Sequence, residues 1–163
     1  MSEQLQDIIN KQNKQENGDE HVEEAIQMVG FVIGEEEYAV PILSIQEIIK
    51  PLEWTRVPQT PAYVLGVFNL RGSVIPLIDL RAKFGLQINK HSEDTRFIVM
   101  LHEDEVAGFV IDRLTEAIRF RKRDIGAAPE TAMQDESMIE GVGKQEDRII
   151  TILKVHKLLE RDF

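Results

Sequence analysis

From residue 27 onward, apolar positions fall in short runs separated by charged or glycine-bearing turns, the pattern of a β-rich chain. Gln27–Ile33 is apolar and β-branched, Gly34-Glu35-Glu36 reads as a turn, and Tyr38–Val40 returns. The period then changes. Ile42, Ile45, Ile48 and Ile49 recur at helical spacing after Pro41, which suits a helix start, and Pro51 closes the run. This predicts a helix over Ile42–Lys50. Thr55-Arg56-Val57 is a short extended piece. Two apolar runs, Val64–Phe68 and Val74–Leu80, flank Asn69-Leu70-Arg71-Gly72. Asn and Gly tolerate tight-turn dihedrals, so these runs predict a β-hairpin with Arg71 at its bend. Asp79–Phe84 reads as one helical turn ended by Gly85, and the segment 87–94 as a polar linker.

The second half repeats the plan. Phe97–Leu101 is apolar, His102–Glu105 is a charged turn, and Val106–Ile111 returns; laid on Phe31–Leu43 it aligns without gaps. A second ungapped match joins Gly66–Phe84 to Gly141–Leu159, with Gly66 on Gly141, Val74-Ile75 on Ile149-Ile150 and Leu77-Ile78 on Ile152-Leu153. Leu114–Phe120 adds a strand, and Val155–Leu159 a last helical turn. The fold expected is mainly β: two small antiparallel barrels side by side, with lobes at about 31–86 and 95–159. Each is roughly 60–70 residues, a size at which one core alone is marginal, so the lobes should share a buried face.

The 163 residues carry a net charge of −10, half of it in the first 26, where seven acids outweigh two lysines. That acidic, Gln/Asn-rich leader is expected to be a mobile tail, since Leu5, Ile8 and Ile9 are too few to hold a helix. So acidic a chain is a poor nucleic-acid partner. It has no cysteine, which removes disulfides and thiolate metal sites and suits a reducing compartment. No apolar run nears the ~18–20 residues that span a bilayer, and the N-terminus lacks the form of a secretory signal. The reading is a cytoplasmic protein without membrane insertion.

Candidate chemistry is sparse. His21, His91, His102 and His156 form no pair at ligand spacing, so no metal site is expected. Glu35-Glu36-Glu37 and Glu103-Asp104-Glu105 read as solvated turn tips, which lack the burial that catalytic acids need. Gly141-Val142-Gly143-Lys144 fails the phosphate-loop pattern and reads as a turn before Arg148. No serine occupies a nucleophile elbow. Arg119–Arg123 is the one basic patch; its alternation with Ile118 and Phe120 reads as a strand with a wet face, open to an acidic protein partner. Glu47 and Arg71 remain. An arginine fork docks carboxylates and stays protonated, which suits binding better than acid–base work. The pair could be a structural bridge, a recognition surface, or both.

The segment Val64–Phe84 resembles the signature of the CheW-like domain family of chemotaxis coupling proteins. Gly34–Ile48 and Pro58-Gln59-Thr60-Pro61 resemble the same family, and the likeness covers about 27–160. It implies two five-stranded SH3-like barrels with the chain crossing between them. It implies a non-catalytic adaptor, without cofactor, that joins the cytoplasmic tip of methyl-accepting chemoreceptors to the regulatory domain of the histidine kinase CheA. Recruitment to membrane-associated receptor arrays, and contacts between copies there, follow from the same resemblance. Ile45, Glu47, Gly66, Asn69 and Arg71 match partner-binding positions of the first lobe. Arg96, Ala117 and Thr131 match weaker second-lobe positions, with Thr131 standing where relatives carry an aromatic. Three other readings compete. One is a CheV-type coupling domain lacking its receiver, for which the chain has no room. Another is an SH3-like module of another signalling system, which would need an exposed aromatic stripe. The last is an enzyme on a β-barrel scaffold, which no residue constellation supports.

Overall fold

A computed structural model describes residues 25–127 and 136–160. Residues 1–24 of the leader and Thr131, with most of the loop around it, lie outside them. Eleven strands follow one another in these residues. They are β1 (Ala25–Ile33), β2 (Glu36–Pro41), β3 (Ile45–Ile49), β4 (Val64–Leu70), β5 (Ser73–Asp79), β6 (Arg96–His102), β7 (Glu105–Ile111), β8 (Arg113–Arg121), β9 (Ile125–Gly126), β10 (Ile139–Gln145) and β11 (Arg148–Leu153). Two helical turns, α1 (Leu80–Lys83) and α2 (Val155–Leu158), stand where the sequence predicts them. Asp79 caps α1 by accepting a bond from the Ala82 N–H at 3.2 Å, and Gly85 ends it at φ +81°.

The strands form two sheets, β8-β1-β2-β11-β10-β9 and β3-β6-β7-β5-β4. The six-stranded sheet exceeds the expected five by β9, two residues long and paired to Val142 and Gly143. The other sheet carries a smaller version of the same feature, a single bridge from Thr55 to Val67. Val67 and Val142 are equivalent in the 75-residue repeat, so the duplication extends to this detail.

Neither sheet is confined to one half of the chain. The five-stranded sheet takes β3–β5 from before the linker 87–94 and the β6–β7 hairpin from after it. The six-stranded sheet takes the β1–β2 hairpin from before it and β8–β11 from after it. The contiguous lobes 31–86 and 95–159 therefore do not coincide with the sheets. Each half lends its first hairpin to the other, through the parallel seams β5–β7 and β2–β11.

The helix expected over Ile42–Lys50 is instead one 3-10 turn, Ile42–Ser44, followed by β3. The cause of the false period is a bulge. Ile45 faces Met100 while Glu47 faces Val99, so Gln46 is an extra residue. The insertion places Ile45 and Ile48, three apart, on the same cluster, a spacing that mimics a helix. Ile49 turns to the other face. The glycines of Gly141–Lys144 lie within β10 rather than in a turn, and the turn is Glu146-Asp147.

Three apolar clusters result. Phe68, Leu77, Phe97 and Val110 fill the five-stranded sheet. Met28, Ile118, Phe120 and Ile150 fill the six-stranded one. The largest cluster joins Phe31, Ile33 and Val40 of one sheet to Ile98, Met100 and Phe109 of the other, closed by Leu158 and Leu159. It is the buried face that the two sheets share.

Candidate functional site

The hairpin bend is built as the sequence predicts. Leu70 pairs with Ser73, leaving Arg71-Gly72 as a two-residue turn with φ +53° and +90°, both positive as a type I′ bend requires. Asn69 Oδ1 accepts the Gly72 N–H at 2.9 Å and clamps it. Arg71 Nη1 then meets Glu47 Oε2 at 3.0 Å. These residues come from opposite ends of the sheet order, so the sheet curls until β3 approaches the β4–β5 bend. The arginine side chain remains 79% exposed, whereas Glu47 is 18% exposed. Glu47 is thus the anchored partner, and Arg71 presents its guanidinium outward at a fixed place. A shallow concavity of about 380 Å³ runs beside the pair, bounded by Gln46, Val74 and Asp104. Val74 is 68% exposed there.

Gly66 is buried rather than presented. A Cβ on it would lie 2.0 Å from the Thr55 carbonyl oxygen. The Thr55 and Val67 backbones exchange two bonds of 2.8 Å over this point. Gly141, its repeat equivalent, lies likewise under the Gly126 carbonyl, 2.7 Å from where its Cβ would be. Both follow a bulge, between Val64 and Gly66 and between Ile139 and Gly141. Gly66 therefore carries a backbone crossing.

The structure brings Ile45, Glu47, Asn69 and Arg71 to one end of the five-stranded sheet, with Ile45 half-buried beneath. It does not bring Arg96 or Ala117 there. Arg96 opens β6 at the opposite end, donating from Nη1 to the Glu93 and Thr95 carbonyls at 2.8 and 2.7 Å. Ala117 is exposed on β8 of the other sheet, opposite Val29.

Sequence reasoning missed a second ion-pair centre. Glu37 is not a solvated turn tip. It points to Arg148, whose Nε and Nη2 fork onto its carboxylate, while Nη1 reaches Glu116. Thr115 Oγ1 donates to Glu37 at 2.8 Å. Burial pushes the Glu37 pKa up, but the bonds from Arg148 and Thr115 and the nearby Arg148 and Arg113 charges outweigh it and hold the carboxyl below its usual value. The Arg148 guanidinium is shifted up by the same bonds. The internal repeat does not reveal this centre, because it places Arg148 over Ser73 rather than Arg71. The repeat does carry Val74 onto Ile149, which is 62% exposed.

Against the six-stranded sheet, with only His102 contributed by the other sheet, lies a larger groove of about 560 Å³. Ile26, Met28, Ile125 and Ile152 form its apolar floor, while His102, Lys122, Lys154 and His156 stand on its rim. The two imidazole rings are 5.7 Å apart. Ile42 and Leu43, the latter 84% exposed, lie beside it in the 3-10 turn next to Pro41 and Ser44. No group of three or more metal-ligating side chains occurs among the described residues, and no helix among them is long and apolar enough to cross a membrane.

Residues 27–163 match the family model described as CheW-like domain. The chain is 54% identical to the chemotaxis protein CheW of Helicobacter pylori over the full length of both. It is 35% identical to that of Klebsiella aerogenes, over 81% of this chain and 80% of the relative. The crystal structure of the scaffolding protein TtCheW from Thermoanaerobacter tengcongensis superposes with a TM-score of 0.78 at 33% identity, covering 88% of this chain and 94% of that one.

Proposed function

The chain belongs to the CheW-like domain family and is a chemotaxis coupling adaptor; we propose that it does its work without catalysis, by holding two partners on two separate faces. The first partner is the helical tip of a chemoreceptor, and the apolar groove against the six-stranded sheet is its seat. An apolar trough with a polar rim takes a helix by burying the helix's apolar face and leaving charged groups at the edge. The second partner is the regulatory domain of the histidine kinase CheA, and the hairpin end of the five-stranded sheet is its seat. An arginine held at a fixed place beside an exposed aliphatic, Val74, is the kind of anchor that interface cores use. The adaptor acts in the cytoplasm and reaches the membrane through its receptor. Contacts between copies in arrays multiply weak binding by raising effective concentration.

The observation that carries this reading is the Glu47–Arg71 pair, in which the less exposed member fixes an exposed guanidinium on a clamped bend. The test is sedimentation of receptor-bearing vesicles with purified kinase and adaptor. Wild-type adaptor should carry kinase into the pellet, and Arg71→Glu, folded by circular dichroism, should not. Kinase recovery equal to wild type with that variant would sink the assignment of the hairpin face. A turnover of any metabolite by the isolated chain would sink the non-catalytic reading.

A further inference from the structure

The described chain crosses from one sheet to the other at two points, Ser44 between β2 and β3 and Asp112 between β7 and β8. At the second, Asp112 is a clasp. Its Oδ2 accepts from Arg81 Nη1 of α1 at 2.6 Å and from the Gly34 N–H at 2.8 Å. Asp79 supplies a further acid there, as the cap of α1. The internal repeat carries Arg81 onto His156, Asp79 onto Lys154 and Gly34 onto His102; one residue past its first match, it carries Asp112 onto Ser44. All four counterparts line the 560 Å³ groove, and the two imidazoles stand 5.7 Å apart. The crossing at Ser44 thus presents donors and has neither acid. Lys122 adds a further donor to the rim, and Glu140 of β10 is the one carboxylate among the described lining residues.

We infer that the groove takes a helix that brings its own acid: a carboxylate of the docked helix, set among Ser44, His102, Lys154 and His156, fills the place that Asp112 holds at the other crossing. This rests on the adaptor reading of the groove and adds the chemistry of the helix face that fits it. Docking strips water from the rim, so a helix without an acceptor leaves these donors unpaired at a cost. A carboxylate gains charge-assisted bonds instead. The apolar floor accepts many apolar side chains, and the missing acid is what makes the seat selective.

Ser44→Asp supplies the acid internally, and Ser44→Asn is its uncharged control. A synthetic helical hairpin of a chemoreceptor tip should bind the Ser44→Asp protein at least about tenfold more weakly than wild type, and the Ser44→Asn protein within about twofold of it. The hairpin gives a second test that needs no folded variant of the adaptor. Changing its Asp and Glu residues one at a time to Asn and Gln should expose one position whose loss weakens binding to wild type by at least about fivefold. The same change should cost the Ser44→Asp protein nothing. Equal binding by the two Ser44 variants, or a wild type indifferent to every neutralised hairpin, overturns the inference. Amide shifts of Met28 and Ile152 report whether the hairpin occupies the groove at all. If they stay still while it binds, the seat itself is wrong and the inference falls with it. If they move while no acid matters, the seat stands and the inference alone falls.

Discussion

Gly66→Ala separates architecture from recognition at a position that the family resemblance ties to partner binding. The new methyl would stand 2.0 Å from the Thr55 carbonyl oxygen and 2.9 Å from the Arg56 Cα. Both are backbone, so no side-chain rotation relieves the clash. The crossing segment must shift by more than an ångström, and the two 2.8 Å bonds between Thr55 and Val67 must stretch or break. Overpacking typically costs about 1–3 kcal/mol. The φ of +154°, unfavourable for a side chain, adds about 1–3 kcal/mol. At about 2–4 °C per kcal/mol for a domain of this size, the melting temperature should fall by about 4–24 °C. Gly72→Ala is the control. Its φ is +90°, but nothing stands within 4 Å of the added carbon, so only strain remains and the fall should be a few degrees. Thermal melts followed by circular dichroism read both. A Gly66→Ala protein that melts within about 2 °C of wild type yet fails to bind receptor or kinase refutes the reasoning, and makes Gly66 a contact residue.

Arg71→Ala should behave in the opposite way. An exposed pair contributes about 0.2–1 kcal/mol, so a melt should move by less than about 4 °C while kinase binding falls at least tenfold; a large loss of stability would make the pair a structural bridge. Glu37→Gln should alter acid stability. The Glu37 carboxyl is held below its usual pKa, so its contribution is complete above the unfolded value and is lost as pH falls through the folded one. The stability gap between wild type and variant should therefore be widest near neutrality and close as acid is added, and a gap constant with pH contradicts this. Fragments 1–90 and 91–163 should each lack stable sheet structure and regain it on mixing, because each sheet needs a hairpin from the other half. Independent cooperative melts of the two fragments contradict that interlock.

Local chemistry was the legible part of the sequence. The bend at Arg71-Gly72, the helical turn ended by Gly85 and the wet face of Arg119 and Arg121 each follow from residues within a few positions of one another. The 75-residue repeat was legible too, because apolar spacing survives duplication. The exchange of hairpins was not, since nothing in Phe31–Val40 or Phe97–Ile111 says which half it will pair with. The helix predicted over Ile42–Lys50 failed because one inserted residue, Gln46, converts a spacing of two into a spacing of three, which mimics a helix. Glu37 was misread for a related reason. Its partner Arg148 is 111 residues away, and a carboxylate beside a turn looks solvated until the distant strand is in place. At the site, Glu47 and Arg71 were named together from the sequence, but their unequal exposure required the curl of the sheet.

The most direct test of two faces serving two partners is amide hydrogen exchange on the full-length chain with a receptor-tip helical hairpin, with the kinase regulatory domain, and with both. Two footprints are predicted: β1, the 3-10 turn and β11 for the helix, and β3 with the β4–β5 bend for the kinase domain. Both should persist when the partners are present together. A single footprint common to both, or loss of one when the other binds, contradicts the account.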